Sequence, residues 1–523
     1  MPEYLSPGVY VEEISTGPRP IEGVGTSTAG IVGQTERGPE EPRLISSWLE
    51  FQRWYGGFIP DVSYLAYAIQ GFFENGGQRC YVTRVASSEA VASQAVIGNL
   101  QFVAYGRGAW GNNLRIKVSP PSNNAPNQFR VSILYYTNFP DPFVDPTDPA
   151  NAANPDLRPP DTLEVFDNLS AEPRASNNVM VVINSRSRLV RCDWTDDGPA
   201  GLPVTGFDAG EFSQGDDGAA VVAADFTGSK ELIPVPAGLP TDILGRGRGL
   251  DGLATVDDIA LLLVPDQARD DLFTPINNAI ITQCELLKDR FGVLSVRQGQ
   301  SNVNNIDMPR DTLYAALYHP WIWIFDPTIN DYRLVPPAGH IAGIMARTDI
   351  ERGVHKAPAN EVVRGAVEIE FPITKSDQDM LNPRGVNCIR DFRPDGRGIR
   401  LWGARTLSSD ALWKYVNVRR LFIFVEESID EGSQWVVFEP NDDLTWGYVR
   451  RSISNFLTRL WKNGALFGTT EEEAFFVRCD RTTMTQDDID NGRLICYIGI
   501  APVKPAEFVI FRIQQYTATE NQQ

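Results

Sequence analysis

Two stretches of helix–strand alternation, parted by a proline-rich acidic block and followed by a region that mixes strands with one long helix, mark a multidomain chain of α/β and α+β parts. Its 523 residues exceed what one hydrophobic core serves, and at ~100 to 200 residues per domain two to four domains are expected. Hydrophobic residues at 42% and charged residues at 22% are ordinary for folded chains and argue against global disorder.

The first element is Ser6-Pro7-Gly8-Val9-Tyr10-Val11-Glu12-Glu13-Ile14, a short alternating strand that needs a sheet to join. A helix follows from Asp61 through Leu65, Ile69, Phe72 and Phe73 to the stop Asn75-Gly76-Gly77, and Cys80 to Val85 reads as a strand. Between about 100 and 250 the texture changes: ten prolines fall from Pro120 to Pro160, and Asp193 to Glu231 carries nine acidic residues against the single Lys230. Strand candidates at Leu114 to Val118, Phe129 to Tyr136 and Val179 to Ile183 make this block a β-rich inserted domain.

The α/β pattern then resumes with the apolar run Ile259 to Val264, a helix near 271–289 and a strand from Phe291 to Val296. Thr312 to Tyr318 is expected as a helix and Trp321 to Phe325 as a strand, so uniformly apolar strands separated by helices predict a mainly parallel sheet covered on both faces. The last region, from about 357, carries strand candidates at Leu421 to Val425, Trp435 to Phe438, Leu494 to Ile500 and Phe508 to Ile513. Its one strong helix runs from about Leu444 to Lys462, after the cap candidates Asp442-Asp443 and before Asn463-Gly464.

That helix divides into two faces. Val449, Ile453, Phe456, Leu457, Leu460 and Trp461 fill one arc, and Tyr448, Arg451, Asn455, Arg459 and Lys462 the other. A basic face in an acidic chain is either a solvated surface or an electrostatic docking face. The terminal strands pose a parallel choice. Val9, Tyr10 and Val11 at one end, and Phe508, Val509, Ile510 and Phe511 at the other, either pair within their own subunit or add to a neighbour's sheet.

Several chemistries are disfavoured. With 67 acidic against 47 basic residues the net charge is −20, which opposes nucleic acid as a partner. The six cysteines lack a CxxC pair, so reduced core thiols and a cytosolic compartment are expected, not a disulfide frame or a zinc site. Three histidines without close cysteines disfavour a metal site, and no cofactor is expected. No leader is evident and no apolar run nears the ~18 residues of a membrane span, so no direct membrane insertion is expected, and leaving the cell would take lysis or a particle.

Gly25-Thr26-Ser27-Thr28-Ala29 echoes the serine motif of subtilisins and Gly339-His340-Ile341-Ala342-Gly343 faintly their histidine motif. Their order is wrong for that family, and no G-x-S-x-G elbow offers another nucleophile, so a serine-hydrolase-like enzyme is only the alternative reading. His340 is expected at a helix start after Pro336-Pro337. Gly245-Arg246-Gly247-Arg248-Gly249 neither follows a clear strand nor opens a helix and is expected as a flexible connector.

The run Arg419-Arg420-Leu421-Phe422-Ile423-Phe424-Val425-Glu426-Glu427-Ser428-Ile429, then Trp435-Val436-Val437-Phe438-Glu439-Pro440-Asn441 and Pro505-Ala506-Glu507-Phe508-Val509-Ile510, resembles the C-terminal part of contractile tail sheath proteins of phages, R-type pyocins and extracellular injection systems. Leu5 to Glu13, Phe72 to Gly77, Gly339 to Gly343, Arg352 to Asn360 and Leu401 to Leu407 also resemble sheath sequences, in family order and outside the inserted block.

The resemblance implies a structural, non-catalytic subunit that forms stacked hexameric rings around an inner tube and contracts from a metastable extended state. It implies an N-terminal arm strand (1–22), a discontinuous subtilisin-like α/β core (23–99 and 250–356), an α+β C-terminal sheath domain (357–501) and a C-terminal arm strand (502–523); the inserted β-rich domain (100–249) has no match among sheath sequences, and its composition suits the outer surface. The resemblance further implies strand exchange through Val9, Tyr10, Val11, Phe508, Val509, Ile510 and Phe511, and a tube contact through the helix bearing Arg451, Arg459 and Lys462. The implied partners are other copies of the chain, the inner tube protein, and baseplate and tail-terminator proteins. A non-contractile tail or baseplate component is a further alternative.

Overall fold

The computed structural model describes residues 20–195, 211–232 and 246–512. They belong to two compact units: Gly25–Arg420, and a smaller one formed by the chain up to Val24 together with Leu421 onwards. The expected strand at 6–14 lies outside the described residues, as do Val9, Tyr10 and Val11.

The larger unit is built on a nine-stranded sheet. Its strands are β1 (Ala29–Gly33), β2 (Arg43–Ile45), β3 (Cys80–Arg84), β4 (Leu261–Leu263), β5 (Phe291–Ser295), β6 (Ala315–His319), β7 (Glu361–Val362), β8 (Val386–Asp391) and β9 (Ile399–Leu401). The order is β7-β9-β8-β6-β5-β4-β1-β3-β2, and every pairing from β8 through β3 is parallel. The expected mainly parallel sheet is therefore present, with β1, β4, β5 and β6 buried throughout. The helices α1 (Leu65–Glu74), α2 (Phe273–Leu287) and α3 (Ala338–Arg352) belong to the same unit.

One strand was disguised as a helix. Ala315-Ala316-Leu317-Tyr318 reads as helical because alanine and leucine favour helices, yet it forms β6, bonded to β5 on one side and β8 on the other. Burial on both faces removes the period that would have revealed it. The glycine-rich connector is also corrected: Arg246–Arg248 pairs antiparallel with Ser229–Leu232, and Gly249 opens a short helix to Leu253. Gly249 (φ 61°) lies so near the Phe226 carbonyl that a Cβ would stand 2.5 Å from it, which is why glycine belongs there.

Helices α1 and α3 cross at bare backbone. A Cβ at Gly339 would stand 2.3 Å from the Ala68 carbonyl oxygen, one at Gly343 2.4 Å from that of Phe72, and one at Gly71 2.3 Å from the His340 ring. Gly339-His340-Ile341-Ala342-Gly343 is thus a packing surface, and α3 starts just after Pro337, as expected for His340.

The inserted block, joined by Gln94–Ile97 from just before it, has two three-stranded antiparallel sheets, Gln94–Ile97 with Leu100–Ala104 and Val190–Trp194, and Leu114–Ser119 with Gln128–Tyr135 and Thr162–Ser170. One hydrophobic cluster fills them, taking in residues from Ala95 to Phe212. Val179–Arg186, expected in part as a strand, is a helix whose cap Asn178 accepts from the amides of Met180 and Val181. A short valine-rich run followed by Asn184 and Ser185 was too brief for its period to show. The block is keyed to the loop before β2. Arg107, 2% exposed, donates to both Glu40 oxygens (2.8 and 2.6 Å), and Tyr135 Oη donates to Glu36 (2.7 Å). Burial pushes Glu40 up, but the Arg107 hydrogen bonds and charge hold it below the usual carboxylate range.

The smaller unit contains most of α4 (Val416–Ser433), which crosses the division, and all of α5 (Asp443–Lys462), β10 (Phe475–Arg478) and β11 (Tyr497–Ile500). Two further expectations are overturned here. Leu421 to Val425 is helical, since Leu421, Ile423, Val425 and Ser428 are all buried within α4 and its apolar run lost its polar interruptions. Trp435 to Phe438 is a 3₁₀ turn over Gln434–Val436 followed by Phe438 at φ 69°. Among the described residues no helix is long and apolar enough to cross a membrane.

Gly343→Ala should cost about 1–3 kcal/mol by forcing α1 and α3 apart, read as a lower urea midpoint with an unchanged slope. A second test uses pH. His319 and His340 are buried neutral and burial pushes each down to about 4, so protons bind the unfolded chain first as pH falls from about 6.5. Their stabilisation is whole above pH 6.5 and is lost towards pH 4; Asp266, pushed up by burial to about 6, offsets part of this loss in the same window. The net fall should be on the order of 3 kcal/mol between pH 7 and 4.5 in urea unfolding, and His340→Gln should flatten it.

Candidate assembly surfaces

The segment that precedes β1 is tied to α4 and α5. Ile21 is buried against Gly432, Gly23 packs on the Phe424 ring, and the Val24 amide donates to Ser428 Oγ (3.1 Å). The Arg459 guanidinium donates to the Ile21 carbonyl. Inside the larger unit, Arg420 donates to both oxygens of Asp349 (3.0 and 2.6 Å) and to the Thr26 carbonyl (2.9 Å), with the two side chains 4% and 2% exposed.

Helix α5 has the two faces expected of it. Asp442 caps it by accepting from the Thr445 amide (2.9 Å); Val449, Ile453, Phe456 and Leu457 are buried, whereas Arg451, Arg459 and Lys462 are exposed. Of these cations Arg459 has a local partner, the Ile21 carbonyl. Arg451 and Lys462 make no hydrogen bond or ion pair among the described residues.

The ribbon of β10 and β11 is antiparallel, from Phe475 opposite Ile500 to Arg478 opposite Tyr497, and neither strand has a second strand partner among the described residues. Beyond it, Phe467 donates to Ala501 (2.7 Å) and Leu466 bridges Pro502. Phe508, Val509, Ile510 and Phe511 are 68–83% exposed and belong to no strand among the described residues; residues from 513 onward lie outside the description. Phe438, Phe467, Phe476 and Tyr497 are exposed on the same unit.

The hydrolase echo finds no support in these side chains. Ser27 makes no side-chain hydrogen bond among the described residues, and His340 is 1% exposed with its ring against Gly71. No group of three or more His, Cys, Asp or Glu among the described residues is placed to hold a metal ion.

Two family models match in adjacent spans, the phage tail sheath protein central domain over residues 248–407 and the phage tail sheath C-terminal domain over 408–516, together more than half of the chain. The chain belongs to the phage tail sheath family. This sheath-family chain is 28% identical over 215 residues to the tail sheath protein of Vibrio phage KVP40, covering 40% of the chain and 31% of that relative. It is 26% identical over 249 residues to a putative prophage major tail sheath protein of Pseudomonas aeruginosa UCBPP-PA14, covering 45% and 61%. The matches thus span less than two thirds of those relatives. Among solved structures, the helical sheath of the anti-feeding prophage in its contracted state is similar with a TM-score of 0.59 and 25% identity over 98% of this chain and 100% of that one.

Sequence reasoning quoted Arg420 only as part of a motif and missed its clamp, because nothing in sequence pairs it with Asp349. Arg420→Met should leave Asp349 buried and unpaired and cost about 3–5 kcal/mol in chemical unfolding, whereas Arg420→Met with Asp349→Leu should recover much of that loss.

Proposed function

We propose that the chain is a structural subunit of a contractile sheath: it polymerises as stacked hexameric rings around an inner tube, and relaxation from a metastable extended lattice drives that tube through a target envelope. The observation that carries this reading is a sheath-family chain whose ribbon has no third strand among the described residues and whose apolar segment Phe508–Phe511 is exposed beside it in sequence. A two-stranded ribbon is marginal alone, and an added strand supplies both backbone hydrogen bonds and apolar cover. On this reading Phe508, Val509, Ile510 and Phe511, with Val9, Tyr10 and Val11 from the other arm, add to ribbons of neighbouring copies and remain joined during contraction.

The finer assignments follow the same reading. Residues 1–22 and 502–523 are the arms, 23–99 with 250–356 a subtilisin-like core without catalytic use, 100–249 an outer domain and 357–501 the sheath domain. Partners are other copies, the inner tube protein, and baseplate and terminator proteins, in a phage tail or tail-like particle assembled in the cytoplasm and released by lysis. No reaction is needed: the work comes from subunit contacts, one arrangement of which is more stable than the other. Arg451, Arg459 and Lys462 face acidic groups of the tube. Exposed ion pairs are worth about 0–1 kcal/mol each, so a ring of them holds the extended state and still lets go.

Electron microscopy of the protein made with its tube partner tests this. Wild type should give extended, tube-filled particles, and the triple change Arg451→Glu, Arg459→Glu, Lys462→Glu should leave only empty or contracted sheaths. Small discrete particles from wild type would overturn the sheath reading; normal filled particles from the triple variant would overturn the tube contact alone.

A further inference from the structure

Cys479 and Cys496 are distant in sequence yet share one end of the C-terminal ribbon. Arg478 stands opposite Tyr497, so one more step of the antiparallel register sets Cys479 opposite Cys496. The phase of the ladder is fixed at its other end, where the Ala501 amide donates to the Ala474 carbonyl (2.9 Å), a hydrogen-bonded pair. Cys479 and Cys496 lie an odd number of steps from it and so form a non-hydrogen-bonded pair. Such pairs bring Cα atoms to ~4.5 Å with their side chains closest, within the ~4.4–6.8 Å that a disulfide spans.

Their thiols already interact. The Cys496 thiol, with the charge of nearby Arg450, holds Cys479 below its ordinary value, while the Cys479 sulfur and burial push Cys496 up. The loop beside them is fastened across the same end, the Asp480 amide donating to Thr483 Oγ1 (3.2 Å) and Thr483 Oγ1 to the Ile495 carbonyl (2.8 Å). Cys479 is buried and Cys496 half-exposed, which gives an oxidant access to one member. Cys80, Cys192, Cys284 and Cys388 are buried.

We propose that Cys479 and Cys496 form a redox staple, two thiols under reducing conditions that close a disulfide across the ribbon end when the protein meets an oxidising medium. The oxidant is a small disulfide such as oxidised glutathione. Cys496 passes its proton to the Cys479 sulfur as its own sulfur attacks one sulfur of the oxidant; the small S–S bond breaks, and the departing glutathione thiolate takes that proton from Cys479 and leaves as a thiol. The Cys479 thiolate then attacks Cys496 Sγ, the mixed disulfide breaks, and the second glutathione leaves with its electron pair. The protons lost by the two cysteines end on the two glutathione thiols, so one small disulfide is reduced as one protein disulfide forms. The bond stops β10 and β11 from peeling apart at that end. That this hardens a released particle rests on the sheath reading above; the cross-link itself does not.

The test uses the full chain, exposed to oxidised or to reduced glutathione, alkylated after denaturation, digested and weighed. After oxidation the expected product is a peptide pair linked through Cys479 and Cys496, with the other four cysteines alkylated, and two alkylatable thiols lost per chain. Cys496→Ser should lose none, and wild type should show a higher thermal midpoint when oxidised, a gain absent from that variant. Full alkylation after oxidation, a glutathione left on Cys496, or a cross-link between chains would each overturn the staple. Failure to form sheaths would overturn the assembly reading and leave the cross-link result standing.

Discussion

The two ends of the larger unit are held together by one guanidinium. Arg420 donates to both Asp349 oxygens and to the Thr26 carbonyl, so the residues where the chain begins and leaves this unit are pinned to α3 by a single buried group. A buried charge is costly to leave alone, and neither partner can leave without stranding the other. The preceding residues Ile21 to Val24 then lie on α4 and α5. A chain whose proposed work is to be pulled through its termini must fasten those termini, and this clamp does so with geometry that only a planar, bidentate donor supplies.

The acidic balance constrains the remaining surface. At a net charge of −20, copies of this chain repel one another, so a polymer of them must be held by something other than bulk electrostatics. The exposed phenylalanines of the smaller unit, and ribbon edges that carry no further strand among the described residues, provide non-polar area and backbone groups for pairing, neither of which depends on charge. The basic face of α5 has the opposite character. It suits an acidic partner and ill suits a cationic one, which separates the proposed self-contacts from the proposed tube contact by their physical chemistry.

What could be read from the sequence follows from periodicity. Helix α5 was legible because Val449, Ile453, Phe456 and Leu457 recur on one arc between an aspartate cap and Asn463, and the parallel sheet because runs such as Leu261–Leu263 are bounded by breakers. Buried elements erased that signal: β6 reads as helix and part of α4 as strand, since an apolar run surrounded by core has no polar side to show its period. Long-range pairs were invisible for another reason. Arg420 with Asp349, Arg107 with Glu40 and Cys479 with Cys496 depend on register and topology, which no local pattern encodes.

Arg459 is common to two roles proposed for this chain, a tube contact and the N-terminal arm. Its guanidinium donates to the Ile21 carbonyl, so the basic face and the N-terminal segment share a residue, whereas Arg451 and Lys462 are exposed and make no hydrogen bond or ion pair among the described residues. A guanidinium has five donors, and one carbonyl leaves others to face an acidic surface. The shared residue therefore couples the proposed tube contact to the arm: a tube carboxylate bound at Arg459 also orders the group that fixes Ile21. On the proposed reading, loss of that carboxylate on contraction would free one side of the guanidinium and leave the carbonyl bond intact. A contact that releases and an anchor that persists can in this way reside on one side chain, because their acceptors differ in charge and only one belongs to the moving partner.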